Sequence, residues 1–175
     1  MQIATTRFGS VEVPDQDLIH FKSGIIGFPK EARFALIPHG QSTLIAWLQS
    51  AQTPALAFPV VSAHGLVLDY PDVPLEPVAE KAGLGGAADD FAVLAVLCAT
   101  PLQPATVNLL APLLINSVTR QGAQVFLEGS RFTTRELFVL PKAAIDAETE
   151  VAEAGQAEAE QAALKASRAA LAQVG

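Results

Sequence analysis

Apolar residues fall in short blocks separated by glycine, proline and polar residues along most of the chain, a pattern of strands and turns. Ile3–Phe8 and Val11–Val13 predict two short strands that turn at Gly9-Ser10, because β-branched residues favour extended backbone and glycine supplies a positive φ. Leu18–Phe21 predicts another extended piece. Ser23–Pro29 reads as a glycine-hinged loop pinned by Ile25, Ile26 and Phe28. Strands follow at Phe34–Pro38, at Leu44–Leu48 with the single tryptophan, Trp47, and at Leu56–Val61. Pro59 removes a ladder donor from the last of these, which predicts an edge strand or a bulge. Pro77–Gly83 predicts one short helix, with proline near its first turn and glycine after its last. Phe91–Ala99 is nearly continuous in apolar residues and predicts a strand buried on both faces, ended by Thr100-Pro101. Thr119-Arg120-Gln121-Gly122 predicts a hairpin turn feeding a strand over Ala123–Leu127.

The densest block is Val107–Asn116, an aliphatic run with an amide near each end and Pro112 inside it. Such a run belongs in the centre of a core. Pro112 forces a bulge, a bend or an edge, and the amides of Asn108 and Asn116 can supply partners to backbone left unpaired nearby. The expected fold is mainly β: a compact antiparallel barrel-like or sandwich-like domain with one short helix, over residues 1–140.

Composition changes after that point. Residues 143–175 hold 13 alanines, with Glu, Gln and Lys among them, and predict a helical or mobile extension over 141–175. Its large apolar positions keep no heptad, which argues against a coiled coil.

The formal charge is −7, from 11 basic and 18 acidic residues, which disfavours direct binding to nucleic acid through phosphates and suits a basic protein partner. The N-terminus lacks the pattern of a signal peptide, and no apolar run reaches the length of a membrane span, so the expectation is a cytoplasmic chain. The single cysteine, Cys98, sits in an apolar block and reads as an inert core thiol. His20, His39 and His64 are scattered without metal-ligand spacing, and no nucleophile elbow, P-loop or zinc-protease motif occurs. No catalytic, cofactor-binding or metal-binding residue is therefore assigned. Arginine and hydroxyl groups cluster at Thr119-Arg120 and at Ser130, Thr133, Thr134 and Arg135, where locking loops against strands is the favoured role over binding an anion. The proline-broken loop carrying Asp69, Tyr70 and Asp72 is expected to expose acidic and aromatic groups to a basic partner.

Several motifs, taken in order, resemble the flagellar assembly factor FliW family. They are Gly24-Ile25-x-Gly27-Phe28, then Leu48-Gln49-Ser50 followed by Leu56-Ala57-Phe58, then Val107-Asn108-Leu109-x-Ala111-Pro112-x-x-Ile115-Asn116, then Thr119-Arg120-x-Gly122-x-Gln124-Val125, then Ser130-x-x-x-Thr134-Arg135. The resemblance covers about residues 1–138. It implies a cytoplasmic, non-enzymatic protein with a compact β-barrel-like fold. It further implies binding to CsrA, a basic dimeric translational repressor, and to flagellin, which would compete for the same protein and couple flagellin synthesis to assembly. Pro59 and the tail after residue 140 depart from the family pattern. The motif residues themselves are expected to hold the fold rather than touch partners. Other readings are a different protein-binding adaptor or a direct RNA-binding regulator, with an enzyme last.

Overall fold

The computed structural model of the protein describes residues 1–40, 42 and 44–139. The extension expected over 141–175 lies outside them. The strands are β1 (Gln2–Thr5), β2 (Gly9–Glu12), β3 (Ile19–Phe21), β4 (Arg33–Pro38), β5 (Ile45–Ser50) and β6 (Ala57–Ser62). Helix α1 (Leu75–Lys81) follows, then β7 (Phe91–Thr100), β8 (Gln103–Val107), β9 (Leu113–Asn116), β10 (Gln121–Gln124) and β11 (Glu136–Leu137).

β3, β4, β5, β6, β7, β9 and β10 pair in that order, and a parallel β10–β3 contact closes the ring into a seven-stranded barrel. Every other pair in the ring is antiparallel. Closure gives every strand of the ring two neighbours within it. The mainly β barrel with one short helix is thus the observed fold. β1 and β2 form a separate hairpin, and β8 with β11 extends the sheet from the far half of β7.

Two cores share the barrel wall. Inside it, Phe21, Phe34, Leu48, Val60, Leu113 and Ile115 are buried, and the rings of Phe21 and Phe34 meet edge to face with centroids 5.4 Å apart. Outside it, Val61, Val93, Ala95 and Leu114 pack beneath Leu75 and Ala79 of α1 together with Tyr70, Leu109 and Leu127. Successive strand residues point to opposite faces, so both faces of β9 are buried and its aliphatic density is accounted for.

The run Val107–Asn116 is where this arrangement is most demanding. Asn108 N–H still reaches Val96 O on β7 (3.0 Å), and Leu113 rejoins β7 opposite Leu94. Between them the chain leaves the ladder, as Pro112 requires. Every carbonyl from Leu109 to Pro112 finds a donor: the Tyr70 hydroxyl, Leu127 N–H, Gln124 Nε2 and Val125 N–H, at 2.7, 3.0, 3.0 and 3.0 Å. Asn108 Oδ1 accepts Ala111 N–H at 2.9 Å. At the other end, Asn116 Oδ1 accepts Val118 and Thr119 N–H (2.9 and 2.8 Å), and its Nδ2 donates to Gly85 O (2.7 Å).

Several local expectations are corrected. The first hairpin turns at Thr6–Phe8, and Gly9 already belongs to β2, paired with Thr5. Helix α1 starts two residues early, because Pro74 takes its N-cap position and lets Leu75 and Glu76 form its first turn, and Gly83 (φ +74) follows its end. The turn between β9 and β10 is Ser117–Thr119, closed by Arg120 at φ +57. Gly122 lies in β10 instead, where a Cβ would fall 2.8 Å from Phe21 Cζ.

Of the two expectations for Pro59 the edge holds and the bulge does not: the β5–β6 register runs unbroken through Trp47 and Pro59, and Pro59 stands on the stretch of β6 that has no β7 partner. Ser50 N–H reaches Leu56 O and Ser62 N–H reaches Leu44 O, which sets the ladder's phase and turns Pro59's missing donor away from β5. On that side, pairing with β7 begins only at Val60, so no ladder bond is lost. β7 is not buried along its whole length. Phe91, Val93 and Ala95 are buried, but past Val96 the strand outruns β6, and Cys98 is exposed rather than a core thiol.

Asn116→Ala removes all three side-chain bonds at once and is expected to cost about 2–3 kcal/mol, read from the urea midpoint.

Candidate functional site: an uncharged groove at the barrel mouth

The loop of Asp69, Tyr70 and Asp72 is built as a clamp. Tyr70 is buried, which corrects the expectation of an exposed aromatic, and its hydroxyl donates to Leu109 O at 2.7 Å. Its ring lies edge-on to Phe132, with centroids 5.2 Å apart. Burial, and then the nearby Asp72 carboxylate, push the phenol well above its ordinary range. Asp72 is occupied too: Oδ2 accepts Arg131 N–H at 2.8 Å and Oδ1 accepts the Ser130 hydroxyl at 2.7 Å. Those two bonds, the backbone one first, hold the carboxyl below its usual value. Asp69, at φ +61, is exposed and makes no hydrogen bond or ion pair among the described residues. The trio therefore ties one loop to two others, and only Asp69 offers a free carboxylate.

Most other singled-out residues hold backbone. Gly24 (φ +68) passes so close to Phe28 O and Pro29 that no side chain fits, and Gly27 (φ +88) turns the loop at its tip. The Arg120 guanidinium sits 3.4 Å from Asp17, and its carbonyl accepts His20 N–H. Thr119 Oγ1 accepts Gln121 N–H, while Thr134 and Arg135 are exposed. His39 Nδ1 accepts the Trp47 indole N–H, His64 lies beside Tyr70, and His20 is exposed on β3, so the three histidines stay apart. Among the described residues no three His, Cys, Asp or Glu converge as a metal site. Nor is any helix among them long and apolar enough to cross a membrane.

What the elements do bring together is an open groove of about 500 Å³ at the mouth of the barrel. Ile25 and Ile26 of the glycine loop, Phe58 of β6, Val96 and Cys98 of β7 and Phe126 form its apolar walls. Thr106, Asn108, Gln124 and Thr134 supply polar edges, and no lining residue carries a charge. The groove exists because β7 parts from β6 after Val96 and leaves the barrel interior uncovered there. Gln124 fixes its shape: Oε1 accepts Ile26 N–H (2.9 Å) while Nε2 donates to Ala111 O (3.0 Å). Ile26 is 71 % exposed and Phe126 57 %, and Phe28, braced edge-on against Phe58 at 5.2 Å, is 39 % exposed. Ile26 thus does not pin the loop as expected; Ile25, which is buried, and Phe28, against Phe58, do. Chemically the groove can take apolar side chains and satisfy a few hydrogen bonds around them, as a protein-docking surface does.

Ile25, Phe58, Asn108, Ala111, Gln124 and Thr134 of the lining belong to the sequence motifs, but nothing in their order or spacing shows that they meet around an opening. An isoleucine or phenylalanine looks the same to sequence reasoning whether it faces a core or an opening.

The two clamp residues predict opposite pH limits. Tyr70's folded value lies above its unfolded value near 10, so its contribution is present below pH 10 and lost as pH rises past it. Asp72's lies below its unfolded value near 3.8, so its contribution is present above that pH and lost as pH falls. Urea midpoints across pH should show Tyr70→Phe removing the alkaline loss at a cost of about 1–3 kcal/mol at neutral pH, and Asp72→Asn removing part of the acid loss.

Comparison with known proteins agrees with the geometry. A family model described as FliW protein matches residues 2–138. The flagellar assembly factor FliW of Heliobacterium modesticaldum is 37% identical over 137 residues, 77% of this chain and 88% of that protein. That of Syntrophotalea carbinolica is 38% identical over 131 residues, 74% of this chain and 92% of that protein. A crystal structure of the flagellar assembly factor FliW superposes with a TM-score of 0.69 at 31% identity, covering 81% of this chain and 99% of that one. The chain belongs to the FliW family of flagellar assembly factors.

Proposed function

We propose that the chain is a cytoplasmic, non-catalytic regulator that binds a CsrA-type translational repressor and flagellin, and so couples flagellin synthesis to flagellar assembly. The observation that carries this reading is the barrel-mouth groove on a chain of this family: an open, uncharged, apolar concavity framed by exposed Ile26 and Phe126. Its groups suit contact with a protein and offer no acid–base pair for chemistry. The charge balance supports a basic partner as well, with 18 acidic against 11 basic residues. In this scheme the chain holds the repressor away from its message until newly made flagellin displaces it. Of the three loop residues, Asp69 retains a role as an acidic contact, since the other two are engaged within the fold.

Calorimetric titration of the full chain with CsrA, with flagellin, and with one in the presence of the other tests the reading. Binding to each alone is expected, with displacement when both are present; binding to neither would overturn it. Ile26→Asp should weaken binding to one or both partners at least about tenfold, as loss of an interface anchor does. Because Ile26 is 71 % exposed, its urea midpoint should stay near that of the parent.

A further inference from the structure

Trp47 and Gln49 stand two residues apart on β5 and share its outward face, opposite the buried Leu48 between them. The Thr6–Phe8 turn folds over that face. Thr6 N–H donates to Pro54 O (2.9 Å), the Phe8 ring meets Trp47 edge-on at 6.1 Å, and the Arg7 guanidinium carbon lies 4.0 Å from the centre of a Trp47 ring. Between the turn and the β5–β6 connection a pocket of about 300 Å³ remains, with Thr6 and Arg7 on one side, Pro54 and Ala57 on the other, and Gln49 among them.

Two polar groups of this pocket are unused. Gln49 has no exposed surface, and its Nε2 donates to Ser50 O and Leu56 O, each at 3.0 Å, which fixes the orientation of the amide. Its Oε1 is left buried with no hydrogen-bond partner among the described residues. An acceptor stranded in this way costs about 1–3 kcal/mol, which a donor brought by a ligand would recover. Arg7 makes no ion pair or hydrogen bond among the described residues; its guanidinium carbon rests over the indole, which leaves its N–H groups without an acceptor. Arg7 and Gln49 line the same pocket of about 300 Å³, a size for one small ligand.

We propose that this pocket binds a carboxylate that carries an N–H one carbon away. The carboxylate pairs with the Arg7 fork, and the N–H donates to Gln49 Oε1. That is the chemistry of a polypeptide's C-terminal residue or of a free amino acid. The site lies on the outward face of β5 and is separate from the barrel-mouth groove, so it can fail without touching the proposed function.

Trp47 is the single tryptophan and lies under the Arg7 guanidinium, so its fluorescence and its one indole N–H resonance report on a ligand that engages Arg7. The full chain is titrated with N-acetylglycine, acetate, N-acetylglycinamide and acetoxyacetate, which replaces the N–H by oxygen. N-acetylglycine should bind at least about tenfold more tightly than each of the other three, because only it offers both a charge-assisted pair and a donor. Arg7→Gln should abolish its response, and the exposed position of Arg7 leaves the urea midpoint unchanged. A response to glycine equal to that of N-acetylglycine assigns the site to free amino acids; a response to N-acetylglycylglycine without one to glycine assigns it to chain termini. No response to N-acetylglycine or glycine, an equal response to acetate, or binding that survives Arg7→Gln overturns the proposal.

Discussion

The structure depends on how the chain from Leu109 to Pro112 keeps its backbone hydrogen-bonded after it leaves the β7 ladder. Buried peptide groups without partners are costly, and Pro112 brings no backbone donor to the segment that leaves the ladder. The break is absorbed by groups gathered from distant parts of the sequence: the Tyr70 hydroxyl, the Gln124 amide, and the backbone of Val125, Leu127 and Thr133. The last of these serves both Leu109 N–H and Leu110 N–H, at 3.2 and 3.1 Å. Each partner is itself fixed elsewhere, Tyr70 by the outer core and Gln124 by the glycine loop. One irregular segment thereby ties the outer core, the barrel and the loop at its mouth into a single cooperative unit.

The same break shapes the surface. β7 carries two partners in succession along one side, β9 over its first half and β8 over its second. Its second half leaves β6 behind, and Pro59 lies on β6 where that separation begins. A missing donor is tolerated there because no ladder acceptor awaits it. The parted strands open the barrel interior, and apolar residues that would otherwise line a core come to line a groove. Groove and core are thus made of the same kinds of residue, separated only by where the sheet ends.

Much of the fold was legible. Short β-branched blocks placed most strands within a residue or two, and the proline and glycine around α1 marked one short helix. Asn108 and Asn116 were legible as backbone partners because an amide beside a dense aliphatic run has few other uses. The errors share a cause. Neighbours in sequence suggest exposure for Tyr70 and burial for Cys98 and Ile26, whereas exposure depends on which strand or loop lies against them in space. Gly122 suggests a turn because glycine usually marks one, yet it is needed where the Phe21 ring packs against β10.

The sequence by itself determined the β class, the family and the need for a bend at Pro112, since these follow from local preference and from motif order. Only the tertiary structure decided that seven strands close through a parallel β10–β3 pair, that the acidic loop is a clamp, and that an uncharged groove opens beside Phe58 and Val96. The physical reason is that hydrophobicity records a preference for leaving water but not the partner with which that preference is met. Ile25 and Ile26 are adjacent and chemically identical, yet one is buried in the core and the other stands at the rim of the groove.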